Sequence, residues 1–450
     1  MILLFRLKQH KYLAALILTI IIVIASAVWL AAAPARGNWQ GVPLQFTGDS
    51  YFYYARMKEI ADGHPFIGNP FYLEHNSELA PAFFVADWLA AWPLFLGLSI
   101  SATTIFNLFF WSLSFAALFY GVLRRCGVAA KLSSIGALLG YAASFSIIVR
   151  AVSLQTVLPV WLWFIWEMLG WQKRPDDKKS VWLLAAAITM SIYVYTYLTQ
   201  IIAVLLPLMI IYLYFKHRRQ EAKYLAMACG LAFIASVPFL VYTWRQIHSP
   251  YFWESMRRVG LVYTHLPSGN FLIASFWVMV TLGLWLLLWR WVAALKANET
   301  YKKILPFYVL AGMAMIITAG SNIFSGKESE NSQHIERFMI VWLVMSLVIL
   351  AAYIGKYRQP IKTNSRRQKI ILSLLSLALL LGVSGYVRKD FSLAAMVREN
   401  RQTTVERQSY AAPLRWLEAQ ESRPVVIWTV GAEDVNNYIP ILTKHYVLAP

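Results

Sequence analysis

Long apolar runs separated by short polar segments dominate the chain. The first covers Tyr12–Ala33, and further runs lie at roughly 101–123, 132–149, 154–171, 180–197, 200–215, 224–244, 271–289, 304–320, 338–355 and 370–387. A helix needs roughly 20 apolar residues to cross the hydrocarbon of a bilayer. The pattern therefore predicts an all-α polytopic membrane protein with about eleven transmembrane helices. Arg6, Lys8 and Lys11 precede the first run, as in a signal peptide. Its length exceeds the roughly 7 to 15 residues of a signal-peptide core, so it is read as a retained span.

Charge orients these spans. Basic residues gather in Arg6/Lys8/Lys11, Arg124/Arg125/Lys131, Lys173/Arg174/Lys178/Lys179, Lys216/Arg218/Arg219/Lys223, Arg290/Lys296/Lys302/Lys303 and Lys356/Arg358/Lys362/Arg366/Arg367/Lys369. Those groups hold 24 Lys and Arg against 9 in the opposite loops, the tail apart. Positive charge favours the cytoplasmic side, so the N-terminus is expected there. Counting the apolar segment Pro81–Leu98 as a span would put Arg124, Arg125 and Lys131 outside. It contains Asp87 and Pro93, and it is predicted to lie in the outer interface. Residues 34–100, 245–270, 321–337 and the tail from Arg388 then share the outer face of a cytoplasmic (inner) membrane.

The domains expected are a transmembrane domain over 1–387, with 34–100 as its large first outer loop, and an extracytoplasmic α/β domain over 388–450. Leu393–Ala419 reads as a charged helix, while Pro424–Val430 and the HYVLA segment read as strands. The chain stops at Pro450 just after the second strand-like piece, as an incomplete domain would. No internal repeat, P-loop or Rossmann glycine pattern is present.

Composition changes this picture in one respect. The formal charge of +19 would point to nucleic acid in a soluble chain, but with 59% hydrophobic residues and the basic groups confined between spans it is a topology signal. No nucleic-acid partner is expected. Cys126 and Cys229 lie in unrelated segments, which supports neither a disulfide nor a metal site.

Candidate chemistry concentrates in the outer loops. Asp49 opens SYFYYARMKEIADG, a stretch of helix formers closed by Gly63 and Pro65. An Asp there caps a helix, or serves as a general base or a ligand for a divalent cation. Tyr53 and Arg56 share a face of that helix, and Arg56 can meet a phosphate. His64, Asn69, Glu74, His75 and Asn76 follow, with Glu74 the candidate second carboxylate. Among the aromatics of the second loop, Ser249–Asn270, stand Glu254, Arg257, Arg258 and His265. Adjacent arginines on the side poor in positive charge point to an anionic partner such as a lipid phosphate. Lys327, His334 and Arg337 of the third loop are further phosphate candidates, the last two on one helical face.

An early acid before aromatics, an interfacial helix, many spans and an outer tail together resemble the GT-C glycosyltransferases, polytopic enzymes that use polyprenyl-phosphate-linked or polyprenyl-pyrophosphate-linked sugars. They include oligosaccharyltransferase catalytic subunits, protein mannosyltransferases and lipid A aminoarabinose transferases. The resemblance rests on GDSYFYYAR with GHPFIGNPFYLEH, and more loosely on MRRVGLVYTHLP and Ser325, Gly326, His334 and Arg337. It implies that Asp49 is the catalytic acid of the first loop, as base or metal ligand, with Mg2+ or Mn2+ as the cation if one is used. Glu74 joins it as a second catalytic candidate. Arg56, Arg257, Arg258, Lys327, His334 and Arg337 are the expected donor-phosphate contacts, and Tyr53, His64, His75 and His265 the substrate contacts.

The implied partners are a polyprenyl-phosphate-linked sugar donor, membrane lipids, and a lipid, glycan or protein acceptor. Departures from the family shape this expectation. Position 51 is Tyr, so the DxD pair of oligosaccharyltransferases is absent, and RAVSLQ, Arg150–Gln155, carries no acid. A simpler sugar transferase fits better than a metal-dependent oligosaccharyltransferase. The rival readings are a lipid-linked glycan transporter or flippase and an O-antigen-ligase-like enzyme. Cysteines introduced at Ser50 and Ser268 are expected to react with an impermeant thiol reagent from the same compartment; labelling from opposite sides would overturn the assigned topology.

Overall fold

The computed structural model describes residues 2–79, 84–258, 260–291, 295, 298–356, 377, 380–385, 387, 403–429 and 433–448. Among these, six helices are long and apolar enough to cross a membrane: Lys11–Asn38, Ile100–Arg125, Thr196–Phe215, Gly269–Arg290, Glu299–Ala319 and Asn331–Lys356. The pair Arg219–Ala235 and Val237–Ile247, bent by 56°, is a seventh if read as one span. The all-α polytopic class expected from the sequence is the fold observed.

The described helices do not follow the apolar runs one for one. The run expected at 132–149 is a 14-residue helix, Ala130–Ala143, followed by the short Phe145–Ile148. That at 180–197 is the 17-residue Lys178–Val194. The expected span 370–387 lies largely outside the described residues, as does the basic stretch from Arg358 to Lys369.

Two compact units share the chain. One comprises Met1–Ile17, Phe115–Phe145 and Leu158–Phe391. At its centre runs Asn331–Lys356, whose membrane-length window is 72% buried, and which packs on Ala130–Ala143, Thr196–Phe215, Gly269–Trp291 and Glu299–Ala319. Small residues let the helices close up. An added Cβ at Gly140 would stand 2.4 Å from the Phe119 ring, the close backbone approach that membrane packing favours. Local sequence sets the helix starts: Asp177 accepts from the amides of Lys179 and Ser180, and Asn298 from that of Tyr301 at 2.8 Å. In the same unit Val262–Tyr263 pairs antiparallel with Lys327–Glu328, which brings the loops 245–270 and 321–337 to one end of the bundle.

Leu18–Ser114, Ser146–Val157 and Ser392–Pro450 form the other unit. The tail does not stand apart within it. Ala411, Leu414, Tyr438, Ile439, Ile441 and Val447 share one hydrophobic core with Val42, Tyr54, Met57, Ile60 and Ala90. Gln408 Oε1 accepts from the amides of Gln40 and Val42 at 2.8 and 3.2 Å, and the amide of Val447 donates to the Phe71 carbonyl at 2.7 Å. The expected tail strands are present as Val426–Ile427 and Tyr446–Val447, paired in parallel, with the helices Glu433–Asn436 and Ile439–Leu442 between them. Two two-residue strands bury little by themselves, so the apolar side of the tail is completed by the first loop.

In the segment expected to be interfacial, Val85–Ala91 is helical and Leu94–Leu96 a 3-10 turn. Its Asp87 is not a surface residue. Asp87 and Arg56 are each 2% exposed and form a two-pronged ion pair, Nε to Oδ1 at 3.0 Å and Nη2 to Oδ2 at 2.7 Å. Removing one partner of such a pair strands a buried charge, at a cost of about 3 to 5 kcal/mol. Asp87→Ala is accordingly expected to lower the unfolding midpoint of the detergent-solubilised protein sharply, while Arg56→Met combined with Asp87→Leu restores much of the loss.

Candidate functional site

Asp49 immediately precedes the helix Ser50–Ala61 and occupies the cap position, yet its side chain caps nothing. The carboxylate instead accepts from Thr47 Oγ1 at 3.0 Å and forms an ion pair with Arg150 Nη2. One hydroxyl and a guanidinium thus contact the acid, and Thr47 Oγ1 also lies 2.9 Å from Ser50 Oγ. The Asp49 side chain therefore takes no capping role. It remains 39% exposed, which leaves it open to a reacting molecule.

Arg150 is positioned from two sides. Its guanidinium lies 5.6 Å from the centre of the Tyr53 ring and Nη2 is 3.4 Å from Tyr53 Oη, to which Ser153 Oγ donates at 3.2 Å. Between Arg150 and Ser153, Val152 has φ +60° and is 1% exposed. A β-branched residue in the left-handed region is strained, and such strain persists only where the surroundings enforce it. Enforcement here comes from the core that buries Val152. The turn therefore presents Arg150 and Ser153 to the helix that carries Tyr53. Val152 also lines a narrow crevice, about 10 Å³ in volume, with Phe46, Tyr54, Met57, Asn107 and Gln155. Asn107 donates to the Ala90 carbonyl at 2.8 Å, and its Oδ1 is buried without a hydrogen bond.

The other first-loop candidates are distributed elsewhere. Arg56 spends its charge on Asp87, inside the unit. His64 pairs with Glu59, whose carboxyl is pushed above its usual range by burial and pulled back by His64. Ten residues of helix separate Glu59 from Asp49, about 15 Å along the axis, so that pair is a separate feature. Glu74 is exposed on the 3-10 turn Leu73–His75 and is not part of the hydrogen-bonded group around Asp49. His75 pairs with Glu78 at 2.7 Å.

In the unit of the helical bundle, the ladder between Val262–Tyr263 and Lys327–Glu328 organises the remaining candidates. Arg257 and Arg258 lie exposed on the helix Phe252–Arg258, and Arg258 Nη2 is 2.5 Å from Glu254. Lys327 Nζ sits 4.7 Å from the centre of the Trp253 ring. His265 Nδ1 is 2.9 Å from the Ile323 carbonyl and therefore donates to it. Gly326, at φ +68°, permits this contact, because a Cβ there would stand 2.8 Å from the imidazole. His334 has a different environment. Arg337 Nη1 lies 3.1 Å from its Nδ1 and Tyr195 Oη 2.5 Å from the same atom. A guanidinium only donates, so Nδ1 accepts and the ring proton sits on Nε2, which is 3.2 Å from Glu330. Tyr197 stacks flat on the ring at 4.3 Å. His334 is thus a connector, and Arg337 supplies the cation beside it.

Arg150, Ser153, Tyr195 and Glu330 escaped the sequence reading. Tyr195, whose extended backbone separates two helices, lies inside the apolar run 180–197 and carried no sequence signal of the break. The group around Asp49 offers one carboxylate, two hydroxyls and a neighbouring guanidinium, a donor set poor in anionic oxygen for a divalent cation. Among the described residues no cluster of three or more His, Cys, Asp or Glu is assembled for a metal.

Among solved structures, the chain is similar to that of ArnT from Cupriavidus metallidurans bound to undecaprenyl phosphate. The likeness has a TM-score of 0.54 at 15% identity and covers 95% of this chain and 86% of that one. The GT-C-like fold implied by the sequence resemblance is thus the fold found. No protein-family model matches the sequence, and neither does any curated protein. Because the Asp49–Arg150 pair is partly exposed, it contributes about 1 kcal/mol or less to stability. Arg150→Ala should leave the unfolding midpoint nearly unchanged; a collapse comparable to that of Asp87→Ala would mark the pair as structural.

Proposed function

We propose that the protein is a membrane glycosyltransferase that moves a sugar from a polyprenyl-phosphate-linked donor to a hydroxyl acceptor on the outer face of the cytoplasmic membrane. One observation carries this reading: Asp49, at the start of a helix it does not cap, is clamped by Arg150 and Thr47 yet stays accessible. The fold shared with ArnT supports the donor class, since that protein was crystallised with undecaprenyl phosphate.

In this mechanism the acceptor hydroxyl gives its proton to the Asp49 carboxylate as its oxygen attacks the anomeric carbon. The new glycosidic bond forms as the bond from that carbon to the phosphate oxygen breaks. The lipid phosphate departs with the electron pair and the anomeric configuration inverts. Arg150 fixes the orientation of the carboxylate, and Tyr53 and Ser153 fix that of Arg150. Arg257, Lys327 and Arg337, on the loops of the helical bundle, remain candidates for binding a lipid phosphate. No step is given to a metal ion.

A well-placed general base contributes about 10² to 10⁴ in rate. Asp49→Asn in purified protein is expected to lower transfer from a panel of radiolabelled polyprenyl-phosphate sugars by at least about 100-fold, with an unchanged unfolding midpoint. Undiminished transfer would remove Asp49 from the chemistry. Movement of intact donor between leaflets without release of lipid phosphate would replace the enzyme by a transporter.

A further inference from the structure

The helix Glu299–Ala319 leads at its C-terminal end into the loop that carries the Lys327–Glu328 strand. Its 21 residues span about 30 Å, the thickness of a bilayer core. At its other end lies a cavity of about 200 Å³ lined by Arg125, Leu169, Gln172, Lys173, Glu299, Thr300, Lys303 and Ile304. Neither the sequence candidates nor the proposed reaction uses it.

Three cations, Arg125, Lys173 and Lys303, face this cavity against one acid, Glu299. Glu299 is 75% exposed and is already held by Lys302 at 2.6 Å. Arg125 is fixed in advance. Its guanidinium donates to the Trp166 carbonyl and lies 3.6 Å from the centre of the Trp166 ring. The backbone at Gly170 makes room for it, since a Cβ there would stand 2.2 Å from Arg125 Nη1. A guanidinium immobilised in this way loses little further freedom on binding an anion. Lys173 Nζ donates to the Arg125 carbonyl at 3.3 Å. Exposed as it is, Lys173 is held below the usual lysine range by such desolvation as it suffers and then by the Arg125 charge, so positive charge here is crowded. Gln172 is 5% exposed, and its Oε1 is buried without a hydrogen bond. A ligand for this cavity would thus bring both negative oxygens and a hydroxyl.

We propose that this cavity binds a phosphate group, either in the hydroxyl-bearing headgroup of an anionic phospholipid or in a soluble phosphate. Arg125, Lys173 and Lys303 bind its oxygens, and Gln172 accepts from a hydroxyl beside it. The depth of the cavity, one helix length from the loop assembly, is that of lipid headgroups. The basic bias of this end of the bundle assigns it to the cytoplasmic leaflet.

The test uses the full chain in neutral detergent. Its unfolding midpoint is followed on titration with phosphatidylglycerol in mixed micelles, with phosphatidylcholine, and with inorganic phosphate, and native mass spectrometry counts bound lipid. Phosphatidylglycerol is expected to give a saturable rise in midpoint and a retained adduct, and phosphatidylcholine neither. In K173Q/K303Q the affinity should fall about tenfold or more, since a hydrogen bond to a charged group is worth about 1.5 to 3 kcal/mol. The control K178Q/K179Q removes two lysines from the same end but not from the cavity, and it should bind as the native chain does. Lys303→Gln alone, with a smaller loss, serves if the double variant does not fold. Saturation by inorganic phosphate, lost in K173Q/K303Q, would uphold the site with a soluble ligand. Equal loss in the control, an unchanged adduct in K173Q/K303Q, or no saturable response to either phosphate source would overturn it.

Discussion

The ion pair of Asp49 with Arg150 joins two segments about a hundred residues apart in the chain, and the candidate site depends on it. Without that guanidinium, Asp49 would be an ordinary acid in front of a helix, free to cap it. With it, the carboxylate is turned aside, and the turn carrying Arg150 is held in place through Tyr53, Ser153 and the strained Val152. Local preference would give a capped helix and a relaxed turn; tertiary contact overrides both. Consistent local choices make a fold, and departures from them tend to mark function.

The same apolar chain handles its other charges by different means. Arg56 and Asp87 neutralise one another in the interior, where neither is available to a substrate. Arg257 and Lys327 stay on exposed loop positions, and Lys327 rests over an indole. Charge type alone therefore does not distinguish a binding arginine from a structural one. What distinguishes them is whether a carboxylate of the right reach is buried beside the guanidinium, and that is a property of the packed unit.

This explains what was legible in the sequence. Apolar run length gave the polytopic helical class because the bilayer imposes it on any spanning segment. Asp49 stood out because it is the first acid after the first run. Arg150 gave no such signal: its partner lies far away in the chain, and a lone arginine in a short turn reads as a solvated residue. The helix breaks were legible only in part, since apolar content is continuous through Tyr195 and Ser236, where backbone geometry ends one helix and begins another. The cavity lined by Arg125, Lys173 and Lys303 was hidden in basic segments that, read singly, serve only to orient the spans.

The shared core of the first loop and the tail has a consequence for biogenesis. Val42, Tyr54 and Ile60 are synthesised more than 350 residues before Leu414, Ile439 and Val447, which complete their packing. All the intervening helices enter the lipid in the meantime. The segment bearing Asp49 thus waits for these packing partners until the helices between them have been translated, so the hydrophobic interior of its unit closes only after membrane insertion is far advanced.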